Sequence, residues 1–145
     1  MSFPVPQPGL VIRYSYLWLS EHRRGQEEGV KDRPCAVLLA LTNNDGEQKV
    51  VVLPITHTPP NDPTHTVEIP LDTKRRLGLD SERSWIVVTE SNRFTWPGPD
   101  LRPLTPGEAS SVAYGLLPRA LFNELRAKWL VLFEARRTTT VSRTE

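Results

Sequence analysis

Arg33-Pro34-Cys35-Ala36-Val37-Leu38-Leu39-Ala40-Leu41 is the stretch around which the rest of the chain arranges itself. An unbroken apolar run after Pro34, closed by Thr42-Asn43-Asn44-Asp45-Gly46, is the pattern of a strand buried on both faces, and it is expected to be the central one. At its mouth stands Arg33, either a solvated surface charge or a held anion-binding group. Asn43-Asn44-Asp45-Gly46 tolerates positive φ and predicts a hairpin. Its return strand should run from Gln48 to Leu53 and stop at Pro54. Because antiparallel pairing sets the start of one strand beside the end of the next, Arg33 and Thr56 are expected to be neighbours.

Upstream of Arg33 lies a polar loop from Ser20 to Asp32, containing Glu21-His22-Arg23-Arg24-Gly25 and Glu27-Glu28-Gly29. It is too long for a hairpin turn and is of the length that function tends to occupy. Leu10 to Leu19, apolar and aromatic apart from Arg13 and Ser15, predicts the first strand; the alternating prolines of residues 1–8 predict an extended arm. Downstream, Ile55-Thr56-His57-Thr58-Pro59-Pro60 reads as a hydroxyl-rich loop, Thr64 to Pro70 as a half-exposed strand and Thr73 to Leu79 as a short helical turn closed by Gly78. Trp85-Ile86-Val87-Val88 and Arg93-Phe94-Thr95-Trp96 predict two more strands.

The last third changes character. Thr105-Pro106-Gly107-Glu108 has the form of a capping box with proline at the first helical position, predicting a helix from Pro106. A second helix is predicted from Pro118, with Leu121, Leu125, Trp129 and Leu132 as its core-facing stripe. Residues 136–145 bury little and are expected to fray. Short strands followed by helices predict an α+β fold, a small antiparallel barrel over residues 9–100 with helical packing over 105–135, all in one domain.

Composition narrows the function. A chain of 145 residues with net charge +1 has no global basic field for nucleic acid, so any anion site is local. The single cysteine, Cys35, falls inside the apolar run and excludes an intrachain disulfide framework, which suits a reducing cytoplasm. No apolar stretch reaches the roughly 18 residues of a membrane span, and no signal-peptide pattern opens the chain. Proline, at 14 residues, is about twice its usual share and favours short strands. His22, His57, His65 and Cys35 show no zinc-type spacing, so no metal site is expected. The serine-hydrolase elbow and the phosphate loop are absent. What remains is Arg33 beside Thr56: a guanidinium fork next to a hydroxyl neutralises a phosphate and holds a developing phosphorane better than the ground state.

Gly9-Leu10-Val11-Ile12, Gly25-x-x-Glu28 leading to Arg33-Pro34-Cys35-Ala36-Val37-Leu38, and Val52-Leu53-Pro54-Ile55-Thr56 together resemble the MazF/PemK (Kid) family of type II toxin–antitoxin toxins. The resemblance runs over residues 9–100 and is most specific at Arg33-Pro34 and Pro54-x-Thr56. It implies a metal-independent endoribonuclease on an SH3-like barrel, cytoplasmic, cofactor-free and homodimeric, that cleaves single-stranded RNA by attack of its own 2′-OH and is silenced by a cognate antitoxin protein. It places Arg33 on the catalytic arginine, Thr56 on the catalytic hydroxyl and Glu28 on the acidic loop residue. Glu28 and His57 both stand as candidate general bases. Substrate contacts are expected of His57, Thr58, Glu90 and His22, with Trp18 and Trp96 as stacking surfaces. The sequence departs from the family at Gly9-Leu10, where Gly-Asp is usual, in a longer loop before Arg33, and at Thr89-Glu90, which replaces an acid–glutamine pair. The alternative expectation is an inert or gyrase-poison-like barrel that acts by binding a protein partner.

Overall fold

The computed structural model describes residues 2–27, 29 and 31–143. Glu28, one of the two candidate bases, lies outside the described residues. The strands are β1 (Leu10–Tyr14), β2 (Arg33–Thr42), β3 (Gln48–Thr56), β4 (Thr66–Glu68), β5 (Trp85–Val87), β6 (Glu90–Trp96), β7 (Ala113–Leu116) and β8 (Thr139–Ser142). The helices are α1 (Leu19–Arg23), α2 (Leu71–Leu77) and α3 (Arg119–Glu134). The architecture is α+β, dominated by one mostly antiparallel sheet in the order β4-β5-β3-β2-β1-β7, with β6 branching from β3 and β8 lying parallel on β6. No helix among the described residues is long and apolar enough to cross a membrane.

β2 is buried on both faces, as its composition requires. Ala36 and Leu38 enter one apolar cluster with Leu53, Ile55, Ile86, Leu125 and Leu132, whereas Cys35 and Val37 enter a second with Ile12, Tyr14, Val50, Val52 and Phe94. A register shift between Val37 and Leu39 marks a bulge that adds curvature to the strand. The first cluster is roofed by α3, where Leu125 and Leu132 are buried and Leu121 and Trp129 pack beside them, the stripe expected from their spacing.

Several boundaries differ from expectation: α1 forms within the stretch read as a loop, β7 lies where helical packing was expected, and β6 starts at Glu90 rather than Arg93. Pro54 does not end β3, which runs on to Thr56. It falls where β3 changes partners, Gln48 to Val52 pairing with β6 and Ile55 and Thr56 with β5, so its missing N–H costs no ladder bond in either partner's register. The first strand stops at Tyr14 rather than Leu19, because the side chain of Asn92 takes over both backbone groups of Leu17: Leu17 N–H donates to Oδ1 at 2.9 Å and Asn92 Nδ2 donates to the Leu17 carbonyl at 2.8 Å. The helix expected from Pro106 is instead a turn. Gly107 adopts φ +84°, outside the helical region, and the Glu108 carbonyl accepts the hydroxyl of Ser111 at 2.6 Å. Nor do residues 136–143 fray: β8 pairs with β6, Val141 is buried, and Arg143 is clamped at 7% exposure. Arg143 Nη1 donates to Ser15 O at 2.7 Å and Asn92 Oδ1 at 3.2 Å, and Nη2 meets the Asp100 carboxylate at 3.0 Å.

Candidate functional site

The switch of partners along β3 brings its carboxyl end beside the start of β2. The register pairs Cys35 with Pro54, and continuing it sets Arg33 opposite Thr56. Both line a cleft of about 660 Å³ together with Trp18, His57, Thr58, Lys74, Asp80 and Ser84. Such a volume is in the range of small-molecule and nucleotide sites.

Arg33 is half-buried. Its guanidinium lies over Trp18, 4.9 Å from the ring centre, and Nη1 donates to the Ile55 carbonyl at 3.3 Å. Nε is buried with no partner, and no carboxylate pairs with the charge among the described residues. An arginine held by an aromatic face and one carbonyl, but not neutralised, keeps its field for an arriving anion. The Thr56 Oγ1 accepts the N–H of Thr58 at 3.1 Å, which fixes the hydroxyl at the head of the loop. A hydroxyl that accepts from the backbone still has a proton to donate.

A chain of charges also lines the cleft. Lys74 on α2 is only 2% exposed, yet its ammonium is fully used: it bonds Asp80 Oδ1 at 2.5 Å, Ser84 Oγ at 2.6 Å and the Glu82 carbonyl. Gly78, at φ +74°, ends α2 in the left-handed conformation and turns the chain back so that Asp80 reaches Lys74. The other oxygen of Asp80, Oδ2, lies 2.8 Å from His57 Nε2, and Glu82 stands 3.9 Å from the same nitrogen. Partial burial pulls the Asp80 pKa upward, but the hydrogen bond and charge of Lys74, with His57, outweigh it and hold the carboxyl below its usual range. His57, Asp80 and Glu82 also carry ligand atoms within 4.8 Å of one another. The Lys74 ammonium already holds Asp80 and its charge opposes a cation, so the set is a poor metal cradle.

The remaining expected site residues divide. His57 and Thr58 line the cleft with Arg33 and Thr56. His22, exposed on α1, is not among the cleft residues. Glu90 is not either: its Oε1 accepts the Tyr16 hydroxyl at 3.1 Å and the Leu19 N–H at 2.9 Å, and burial raises its pKa, so it fastens the start of α1. Trp18 spends one face on Arg33, and Trp96 is buried in the second apolar cluster. Cys35 is fully buried and burial pushes its thiol well up, which leaves no thiolate for chemistry. Sequence reasoning missed Lys74, Asp80 and Ser84. Lys74 sits in Thr73-Lys74-Arg75-Arg76, where nothing separates the one buried cation from its exposed neighbours.

No family model matches the chain, and no curated protein matches it.

Proposed function

We propose that the protein is a metal-independent endoribonuclease of the MazF/PemK (Kid) type, cleaving single-stranded RNA on an SH3-like barrel. The observation that carries this is the meeting of Arg33 and Thr56, distant in sequence, at adjacent strand ends in one cleft, with the Arg33 charge left uncompensated among the described residues. The curvature that a small barrel needs is supported by the bulge in β2 and by the sharing of β3 between β5 and β6.

RNA brings its own nucleophile. The 2′-oxygen forms a bond to phosphorus, the bond from phosphorus to the 5′-oxygen breaks, and the products are a 2′,3′-cyclic phosphate and a 5′-hydroxyl. The protein must hold the phosphodiester and stabilise the extra charge on phosphorus. Arg33 supplies the cationic donors and Thr56 a hydroxyl donor, both preset by strand ends. A homodimer would extend the groove available to RNA, and a cognate antitoxin would act by covering it.

The test is incubation of the purified protein with mixed-sequence single-stranded RNA in EDTA, with both new ends mapped. Cleavage leaving cyclic phosphate and 5′-hydroxyl ends is expected, with Arg33→Ala and Thr56→Ala each slower by about 100-fold or more. Activity that disappears on chelation, or persists in both variants, would overturn the proposal. An intact RNA pool would favour the protein-binding alternative.

A further inference from the structure

The cleft holds a second arrangement that the phosphate receptor does not use. We propose that His57 is the general base that takes the 2′-hydroxyl proton, and that Asp80 and Lys74 are positioning residues that hold its ring in the competent tautomer. This rests on the endoribonuclease proposal above.

The geometry has the order base, orienter, anchor. Asp80 Oδ2 is 2.8 Å from His57 Nε2, and a carboxylate at that distance keeps a proton on Nε2. Nδ1 is then the nitrogen with the free lone pair. Asp80 cannot swing away, because Oδ1 is pinned at 2.5 Å by Lys74, itself immobilised by Ser84 and the Glu82 carbonyl. A lysine is rarely buried without a reason, and this one gives one donor to the residue behind the histidine and its other two to Ser84 and the Glu82 carbonyl. His57 immediately follows Thr56, so the ring is tethered to the hydroxyl proposed to touch phosphorus. The charged groups around it are Asp80 and Glu82, with Lys74 behind Asp80, and Arg33, Asp32 and Lys31 also line the cleft.

The proton balance is closed. His57 Nδ1 receives the 2′-hydroxyl proton as the 2′-oxygen bonds to phosphorus, the departing 5′-oxygen takes a proton from water, and the imidazolium then returns its proton to solvent.

The experiment is single-turnover cleavage in EDTA across pH 5 to 9 for wild type, His57→Ala with and without added imidazole, Asp80→Asn, Asp80→Glu and Glu28→Gln. Loss of a general base is expected to slow His57→Ala by about 100-fold or more. Imidazole should restore part of that rate, and thermal unfolding should be little changed, since His57 is exposed. Asp80→Asn should be slower, because an amide no longer holds the ring in one tautomer, and Asp80→Glu, which returns a carboxylate to the ring, should recover part of the rate. Wild-type cleavage with His57→Ala within threefold of it would overturn the assignment of His57 and leave the nuclease proposal standing. So would a slow His57→Ala that imidazole does not rescue, or a rescue-competent loss found in Glu28→Gln instead. A wild-type protein that leaves RNA intact would overturn both.

Discussion

Replacing Arg33 by methionine separates a residue kept for binding from one kept for stability. The guanidinium over Trp18, at 4.9 Å, contributes about 1 kcal/mol. Its 3.3 Å bond to the Ile55 carbonyl adds about 0.5 to 1 kcal/mol. Against these stands Nε, buried without a partner, which costs about 1 to 3 kcal/mol in lost hydration. Methionine keeps the stem, packs against the indole and removes the orphan donor. The opposing contributions nearly cancel, so stability should change by no more than about 1 kcal/mol, or about 4 °C in Tm. Cleavage should behave differently, because methionine donates nothing to a phosphorane: a loss of about 100- to 1,000-fold is expected. Thermal unfolding by circular dichroism and cleavage of end-labelled RNA, on the same preparation, read both quantities. A fall in Tm beyond about 6 °C would make Arg33 a strut of the fold and refute the reasoning. A fall in cleavage below tenfold would refute its role at phosphorus.

Three further outcomes are expected. Arg143→Ala strips hydrogen bonds from Ser15 and Asn92 and the ion pair from Asp100, and breaking such a buried set costs about 3 kcal/mol or more, lowering Tm by about 10 °C in a thermal melt. Glu90→Gln keeps an acceptor oxygen for Tyr16 and Leu19. Because burial raises the Glu90 pKa in the fold, its stabilising contribution is present below the ordinary value of 4.5 and is lost as pH rises through the folded value. The variant should therefore be more stable than wild type at pH 7, no more stable below pH 4.5, and equally active, as urea midpoints and cleavage rates would report. Asp80 is the opposite case: its folded pKa lies below the ordinary 3.8, so its contribution is present above that value and lost as pH falls through the depressed one. Urea titrations should find Asp80→Asn less stable than wild type at pH 7 and level with it at a pH below both values.

Much of the scaffold could be read from local pattern. The two-faced burial of β2, the turn at Asn43 to Gly46 and the core stripe of α3 follow from periodicity and turn chemistry, which act between near neighbours in sequence. Arg33 and Thr56 were placed together by antiparallel pairing alone. Failures came where tertiary contacts overrode local preference. The Pro106 segment obeys the φ of Gly107 rather than its apparent cap, and Leu17 leaves its strand for the side chain of Asn92. Residues 139–142 look uncommitted until β6 offers an edge. The same holds for the cleft wall: burial of Lys74 depends on the folding back of Asp80, Glu82 and Ser84, and one-dimensional pattern carries no trace of it.

The clamp on Arg143 also orders events in time. Its Nη1 reaches the Tyr14 hydroxyl at 3.4 Å, a contact between residues 129 positions apart. During synthesis at about 5 to 20 residues per second, the end of β1 waits on the order of 10 s for that partner to emerge. Until then Ser15 and Asn92 lack the guanidinium they share, and the sheet edge on β6 is uncovered. The nascent chain thus finishes this fold only after Arg143 has been made, and until then its unpaired β6 edge is the place where a chaperone or another nascent chain would engage it.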